Sequence, residues 1–303
     1  MHSNHAVAQW AKQEQGASLV YMALMLPFMI SLAALMIDGS NLYREQFQIQ
    51  TATDAAALAG ARLLALGGST TQVQSEVETL ATTNGADSVT WSYLTNNTGI
   101  QVTAAHTFAT FFAGILGHST VTVRATASAH YGGATSADNL LPIALMCDDM
   151  ANDPDEAFTF GVEYTLWNGN MKSPGNFGWL DWNGVPVGNN ELADNIAHPG
   201  NSGAWDVGDW IPAGPGIQNS APVRNALDTW LNKTVTIPLY STVTGNGANT
   251  KYQICSFAEF TLTGYNFSGS DKWVKGKFIQ SLKHSRSGTA THDFGLRDVQ
   301  IVH

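Results

Sequence analysis

A run of 21 residues without a charge, Ala17–Ile37 (ASLVYMALMLPFMISLAALMI), limits this chain more than any other feature in it. At 1.5 Å per residue the run makes a helix about 31 Å long, close to the thickness of a bilayer's hydrocarbon core. Gln13, Glu14 and Gln15 bound it on one side, and Asp38, Asn41, Arg44 and Glu45 on the other. One membrane crossing is therefore expected. Pro27 lies inside the run, where a membrane helix tolerates proline and usually kinks. The run is too long for the apolar region of a secretory signal, and no small-x-small cleavage site stands cleanly after it. Lys12 and the amino terminus make the preceding flank weakly basic against Glu14. That balance leans toward a cytoplasmic N-terminus, with the bulk of the chain on the far side of the inner membrane, periplasmic or extracellular.

Residues 41–66 (NLYREQFQIQTATDAAALAGARLLAL) continue as helix, because alanine with Leu and Arg favours it and no proline intervenes. Ala52, Ala56 and Gly60 recur at i, i+4 and i+8. Small side chains at that spacing let another helix or a sheet approach the backbone closely. Two uses are open: packing within the monomer, or an assembly face between subunits. Gly67-Gly68 ends the helix in the usual C-terminal manner.

The string QGASLVYMALMLPF, the Asp38 that closes the apolar run, and TDAAALAGA at Thr53–Ala61 together resemble the N-terminal signature of TadE/TadG-like Flp (tight adherence) pilus-assembly proteins. The resemblance implies a membrane helix that runs into a Gln/Ala-rich amphipathic one. It also implies a pilus-assembly or minor pilin-like structural role in a Tad-type secretion and adhesion system. The implied partners are the membrane, other pilus-assembly proteins or pilins, and further copies of the chain itself. Related pseudopilins are cut after a glycine that precedes the apolar run, with glutamate five residues on. Gly16 is suitably placed, but the fifth residue after it is Tyr21, so the helix is expected to stay uncut. The segment VTAAHTFATFFAGILGHSTVTVRATASAH resembles the family's membrane-proximal module. GNFGWLDWNG, TVTIPLYS and FAEFTLTGYNFSG resemble pieces of the distal domain of shorter TadG-like proteins.

The expected fold is α+β: a long N-terminal transmembrane and amphipathic helix, a small pilin-like α+β module, and a distal β-rich domain. The segments are a cytoplasmic N-terminus (1–16), the membrane helix (17–37), the amphipathic helix (38–68), the membrane-proximal module (69–131), a GGATSADN linker (132–139) and the distal domain (140–303). Within the module the patterns predict a helix over 70–82, strands over 88–94, 100–107 and 120–131, and an apolar helix or turn over 108–116. Val121, Val123, Ala125 and Ala127 alternate as in a half-buried strand. Distal strands are expected at 158–166, 234–240, 252–263, 272–282 and 299–302, interrupted by one helix near 221–231.

Cys147 and Cys255 are the only cysteines, and both follow the membrane run. On an oxidising side of the membrane a disulfide between them is favoured, with two buried thiols the alternative. The net charge of −10 argues against nonspecific nucleic-acid binding. Charge is also uneven: residues 138–210 carry 1 basic and 12 acidic side chains, and residues 211–303 carry 9 basic and 5 acidic. This fits either two solvated faces or head-to-tail self-association.

Chemical signatures are weak. Asp148, Asp149, Asp153, Asp155 and Glu156 have the chemistry for calcium but not the ordered spacing of an EF-hand loop. Asp181-Trp182-Asn183-Gly184 matches only a fragment of one. Nine histidines are scattered without metal-ligand spacing, and Gly200-Asn201-Ser202-Gly203 lacks the spacing of a nucleophile elbow. The expectation is no enzyme, no metal, no cofactor and no small-molecule substrate. Trp167, Trp179, Trp182, Trp205 and Trp210 crowd into 44 residues. They either fill a β core or stack sugar rings, and the second use would make the chain a membrane-anchored carbohydrate-binding adhesin.

Overall fold

The computed structural model describes residues 4–147, 159–165, 178–184, 188–214, 219–268, 272–283, 289–290 and 293–302. The acidic cluster at 148–156 lies outside them, as do Trp167 and Phe177. The chain divides into two compact units, residues 1–56, 76–92 and 101–127 in the first and 57–75, 93–100 and 128–303 in the second.

The expected membrane and amphipathic helices are one element, α1, 62 residues from Asn4 to Ala65. Helical structure continues through Pro27, whose carbonyl accepts a 2.8 Å hydrogen bond from the Ser31 hydroxyl one turn later. Its end follows the sequence. Gly67, at φ +78°, donates its N–H to the Leu64 carbonyl (3.0 Å), and the Gly68 N–H reaches the Leu63 carbonyl (2.8 Å). This pair of bonds closes the last turn only because a residue without Cβ takes the left-handed conformation.

In the first unit α1 is followed by the second half of α2 (Thr70–Thr83) and by three strands, β1 (Ser88–Tyr93), β2 (Gly99–Ala109) and β3 (Thr120–Ala134), bonded in the order β1-β2-β3. The strands alternate as the sequence suggests. Val123, Ala125 and Ala127 are buried, while Thr103 meets Thr126 and Thr107 meets Thr122 through hydroxyl pairs at 2.9 Å on the exposed face. The helices contribute Ile49, Ala52, Ala56, Val77 and Ala81 to the buried set, so this small core is built mostly from short side chains.

The second unit contains β4 (Ser136–Ala137), β5 (Leu145–Met146), β6 (Glu163–Thr165), α3 (Asn189–Ala197), β7 (Trp205–Asp206), β8 (Trp210–Pro212), α4 (Ala221–Asp228), β9 (Thr234–Thr244), β10 (Lys251–Asn266), β11 (Trp273–Ile279), β12 (Ser281–Leu282), β13 (Thr289–Ala290) and β14 (Leu296–Val302). Residues 132–139, expected as a linker, hold the last three residues of β3 and the two of β4. The main sheet runs β5-β9-β10-β11-β6, with β8 also on β10. Sixteen-residue β10 is its axis and alternates between two cores. Ala258, Phe260 and Leu262 pack with Leu192 and Ile196 of α3 and with Val223 and Leu227 of α4. Tyr252, Ile254 and Phe257 pack on the opposite side with Leu140 and Leu180. Gly276 of β11 is needed for the first core, because a Cβ there would fall 2.1 Å from the Phe260 ring.

Cys147, just past β5, is disulfide-bonded to Cys255 of β10, with Cα atoms 6.8 Å apart. The predicted strands over 234–240, 252–263 and 272–282 are present as β9, β10 and β11–β12. The helix α3 falls in a stretch for which no element was expected. The last strand, β14, pairs antiparallel with the end of β3, from Val302 opposite Ser128 to Arg297 opposite Gly133.

Candidate functional site

The long helix carries two different surfaces. From Leu19 to Ile37 its large apolar side chains are exposed; Met22, Leu24, Leu35 and Met36 are each about 70% so. It is a helix long and apolar enough to cross a membrane, and none of its most apolar stretch is buried inside the chain. From Glu45 onward a buried stripe begins. In the first unit it comprises Glu45, Ile49, Ala52, Thr53 and Ala56, and in the second Ala57, Gly60, Ala61 and Ala65. The i, i+4, i+7, i+8 spacing is that of one helix face turned to a core.

Ala52, Ala56 and Gly60 all lie on this covered stripe, with Ala56 wholly inaccessible. Their small side chains serve close approach within the chain. In the first unit Ala52 and Gln48 border the turn Thr82–Gly85, and the Gln48 side chain donates to the Asn84 carbonyl at 3.4 Å. In the second, Leu58 and Arg62 line a groove with residues of β14. Of the two uses left open by the sequence, a face covered by its own chain favours packing within the monomer over an assembly face at these three residues.

Polar groups lie beside the stripe. Glu45 is buried, and its Oε1 pairs with the Arg44 guanidinium at 2.5 Å. Its Oε2 is 3.7 Å from Nε2 of His106 on β2, whose Nδ1 lies 3.2 Å from Asp87 Oδ2. Asp87 also accepts the Thr107 N–H at 2.6 Å, and that bond holds its carboxyl below the usual carboxylate range, with His106 adding to the effect.

Asp38, the first charge after the apolar run, is bound more specifically. Its carboxylate accepts three backbone N–H bonds from the β2–β3 connection, from Phe111 (2.9 Å), Phe112 (3.1 Å) and Ala113 (2.7 Å). These donors open the 3-10 helix Ala113–Leu116, so Asp38 caps a helical turn distant in sequence. The Ala113 bond is the main cause of a carboxyl held below its ordinary range; burial opposes it, and the other two bonds assist. Sequence reading treats Asp38 only as the end of a span. The uncharged string Phe108–Gly117 is read there as an apolar helix or turn, but nothing in it signals a partner at Asp38.

At the other end of α1, within the second unit, Arg297 of β14 donates from Nη1 to the Ala65 carbonyl and from Nε to Asp293 (2.7 Å). It lies 5.5 Å from the ring centres of Tyr131 and Phe160. A guanidinium on the last carbonyls favours the negative end of the helix dipole.

The distal candidates separate by burial. Trp179 is wholly buried and packs edge-on to Phe267 at 5.7 Å. Trp205 is half-buried and donates from Nε1 to the Ser202 carbonyl, with Trp182 at 6.3 Å. Trp210 is the one exposed member among the described residues of the group. Asp181 is buried and its carboxyl is raised above the usual range by that burial. It accepts the Asn183 N–H, and Asn183 donates onward to Glu191. Among the described residues no group of three His, Cys, Asp or Glu side chains is arranged to hold a metal.

No curated protein and no solved structure matches the chain. Residues 16–63, which take in the exposed apolar stretch and most of the buried stripe, match the Tad family model, Flp pilus-assembly TadE/G-like, so this part of the long helix is similar to that family.

Proposed function

We propose that this protein is a membrane-anchored structural component of a Tad-type pilus system, a minor pilin-like or assembly protein rather than an enzyme. The observation that carries the reading is the match over residues 16–63 on a helix that is apolar and uncovered in its first stretch and packed into its own fold in its second. Anchoring and presentation of a folded body follow from that division. The N-terminus faces the cytoplasm, and the body stands outside the inner membrane, where the Cys147–Cys255 bond is stable. Its partners are the membrane, pilins or other pilus-assembly proteins, and further copies of itself, engaged through surfaces other than the Ala52/Ala56/Gly60 stripe.

Deletion of the gene should abolish or shorten Tad pili, and the full chain should restore them. A chain lacking residues 17–37 should not. Pili unchanged by deletion would overturn the role. A reporter active only in the cytoplasm, fused after His303, should be silent; activity there would reverse the orientation.

A further inference from the structure

Among the described residues, the Phe111–Leu116 segment, at the tip of the β2–β3 hairpin in the first unit, is the most exposed apolar group outside the first stretch of α1. Ile115 and Leu116 are each 81% exposed and Phe111 is 69% exposed, and no charge occurs between Thr107 and Gly117. The tip does not project into open space. Phe112, Ile115 and Leu116 line one groove with Ile30, Ala34 and Leu35 of α1, and Asp38 closes its end.

We propose that this tip is a second membrane contact, with Ile115 and Leu116 seated among lipid acyl chains in the leaflet that α1 leaves at Asp38. The proposal rests on residues 17–37 crossing the bilayer. Ile30 is eight residues before Asp38. At 1.5 Å per residue the groove therefore runs about 12 Å back along the span. Whatever surrounds the exposed faces of Ile30–Leu35 surrounds the tip as well. The water boundary cannot be moved back to Ile30 to leave the tip dry of lipid. Residues 17–30 would then have to span alone, and their roughly 21 Å falls short of a core about 30 Å thick.

The backbone of the tip is independently suited to lipid, where an unbonded N–H or C=O is costly. The N–H groups of Phe111, Phe112 and Ala113 go to Asp38. Those of Thr110, Ile115, Gly117 and His118 go to the carbonyls of Ser119, Phe112, Gly114 and Ala113. Asp38 sets the depth: its charge stays at the interface, and its three bonds hold the tip beside the helix. Tyr43, exposed just over one turn beyond, lies at the level where interfacial aromatics collect.

The test uses the full-length protein in vesicles of phosphatidylethanolamine and phosphatidylglycerol containing acyl-chain nitroxide lipids. The disulfide occupies both native cysteines, so an environment-sensitive fluorophore can be placed on Ile115→Cys, on Leu24→Cys within the span, or on Thr79→Cys on exposed α2. Lipid quenching at positions 24 and 115, several-fold above that at 79, is the expected result. Quenching at 24 without quenching at 115 would overturn the proposal while leaving the span intact. In that case aqueous iodide reports whether the tip lies in water or is covered by a second copy or another protein. No quenching at 24 would remove the span, and the proposal with it. Leu116→Cys repeats the measurement should Ile115→Cys misfold. In an Asp38→Ala background the quenching at 115 should fall while that at 24 is unchanged; an equal signal at 115 would show that Asp38 does not position the tip.

Discussion

The two stretches of α1 share one secondary structure and have opposite surroundings. Between residues 19 and 37 the large apolar side chains are uncovered; between 45 and 65 the inward ones, apart from Glu45 and Ile49, are Ala, Gly and Thr, and they are buried. The first stretch is long and apolar enough to cross a membrane, where helix would be required because a chain in hydrocarbon must bond its own backbone. In the second, helix is supported by packing, and small residues let the backbone lie close to its neighbours. Thr53, buried in that stripe, returns its hydroxyl to the Ile49 carbonyl at 2.6 Å, so even its polar atom needs nothing from outside. Large apolar residues thus mark the uncovered stretch, and small ones mark most of the stretch committed to the fold.

The largest test breaks the first stretch. Leu26→Arg together with Met29→Arg should cost about 5 to 7 kcal/mol of insertion at the middle of a span. Alkaline extraction should then release the protein from membranes; retention would show that the helix does not cross. Next comes the body. Replacing Cys147 and Cys255 by alanine opens a link across 108 residues. In a chain-entropy treatment the folded state loses about 5 kcal/mol. Urea unfolding of the second unit should shift accordingly, while alkaline extraction is unchanged.

Smaller effects sharpen the contrast. Ala56→Leu adds bulk to a wholly buried site and should destabilise the fold by about 1 to 3 kcal/mol. Leu24→Ala, on the uncovered stretch, should leave the melting temperature of the folded body where it was. Lost partner crosslinking with unchanged melting in Ala56→Leu would restore the assembly face that burial argues against. The smallest effect concerns Asp38, whose folded pKa is depressed. Its contribution is complete above the ordinary aspartate value of about 4 and is lost as pH falls through the lower folded value. The tip should loosen in that acid range, read by a fluorophore at position 115, and Asp38→Ala should remove the transition.

The apolar helix, α2, the β1–β3 alternation and the glycine stop at Gly67 were legible because each is local: hydropathy, period and left-handed backbone are set by residues near one another in the chain. The cysteine pairing was legible from the count of two and the expectation of an oxidising compartment. Burial of Ala52, Ala56 and Gly60 was not, since a small-residue stripe has the same spacing whether its neighbour is the same chain or another. Nor was α3, whose Asn-rich sequence is helical because Leu192 and Ile196 find the β10 core. The return of β14 to β3 and the three bonds from the hairpin tip to Asp38 join residues 73 to 174 positions apart. Only the tertiary structure decides such pairings, because their free energy depends on what the rest of the fold brings within hydrogen-bonding distance.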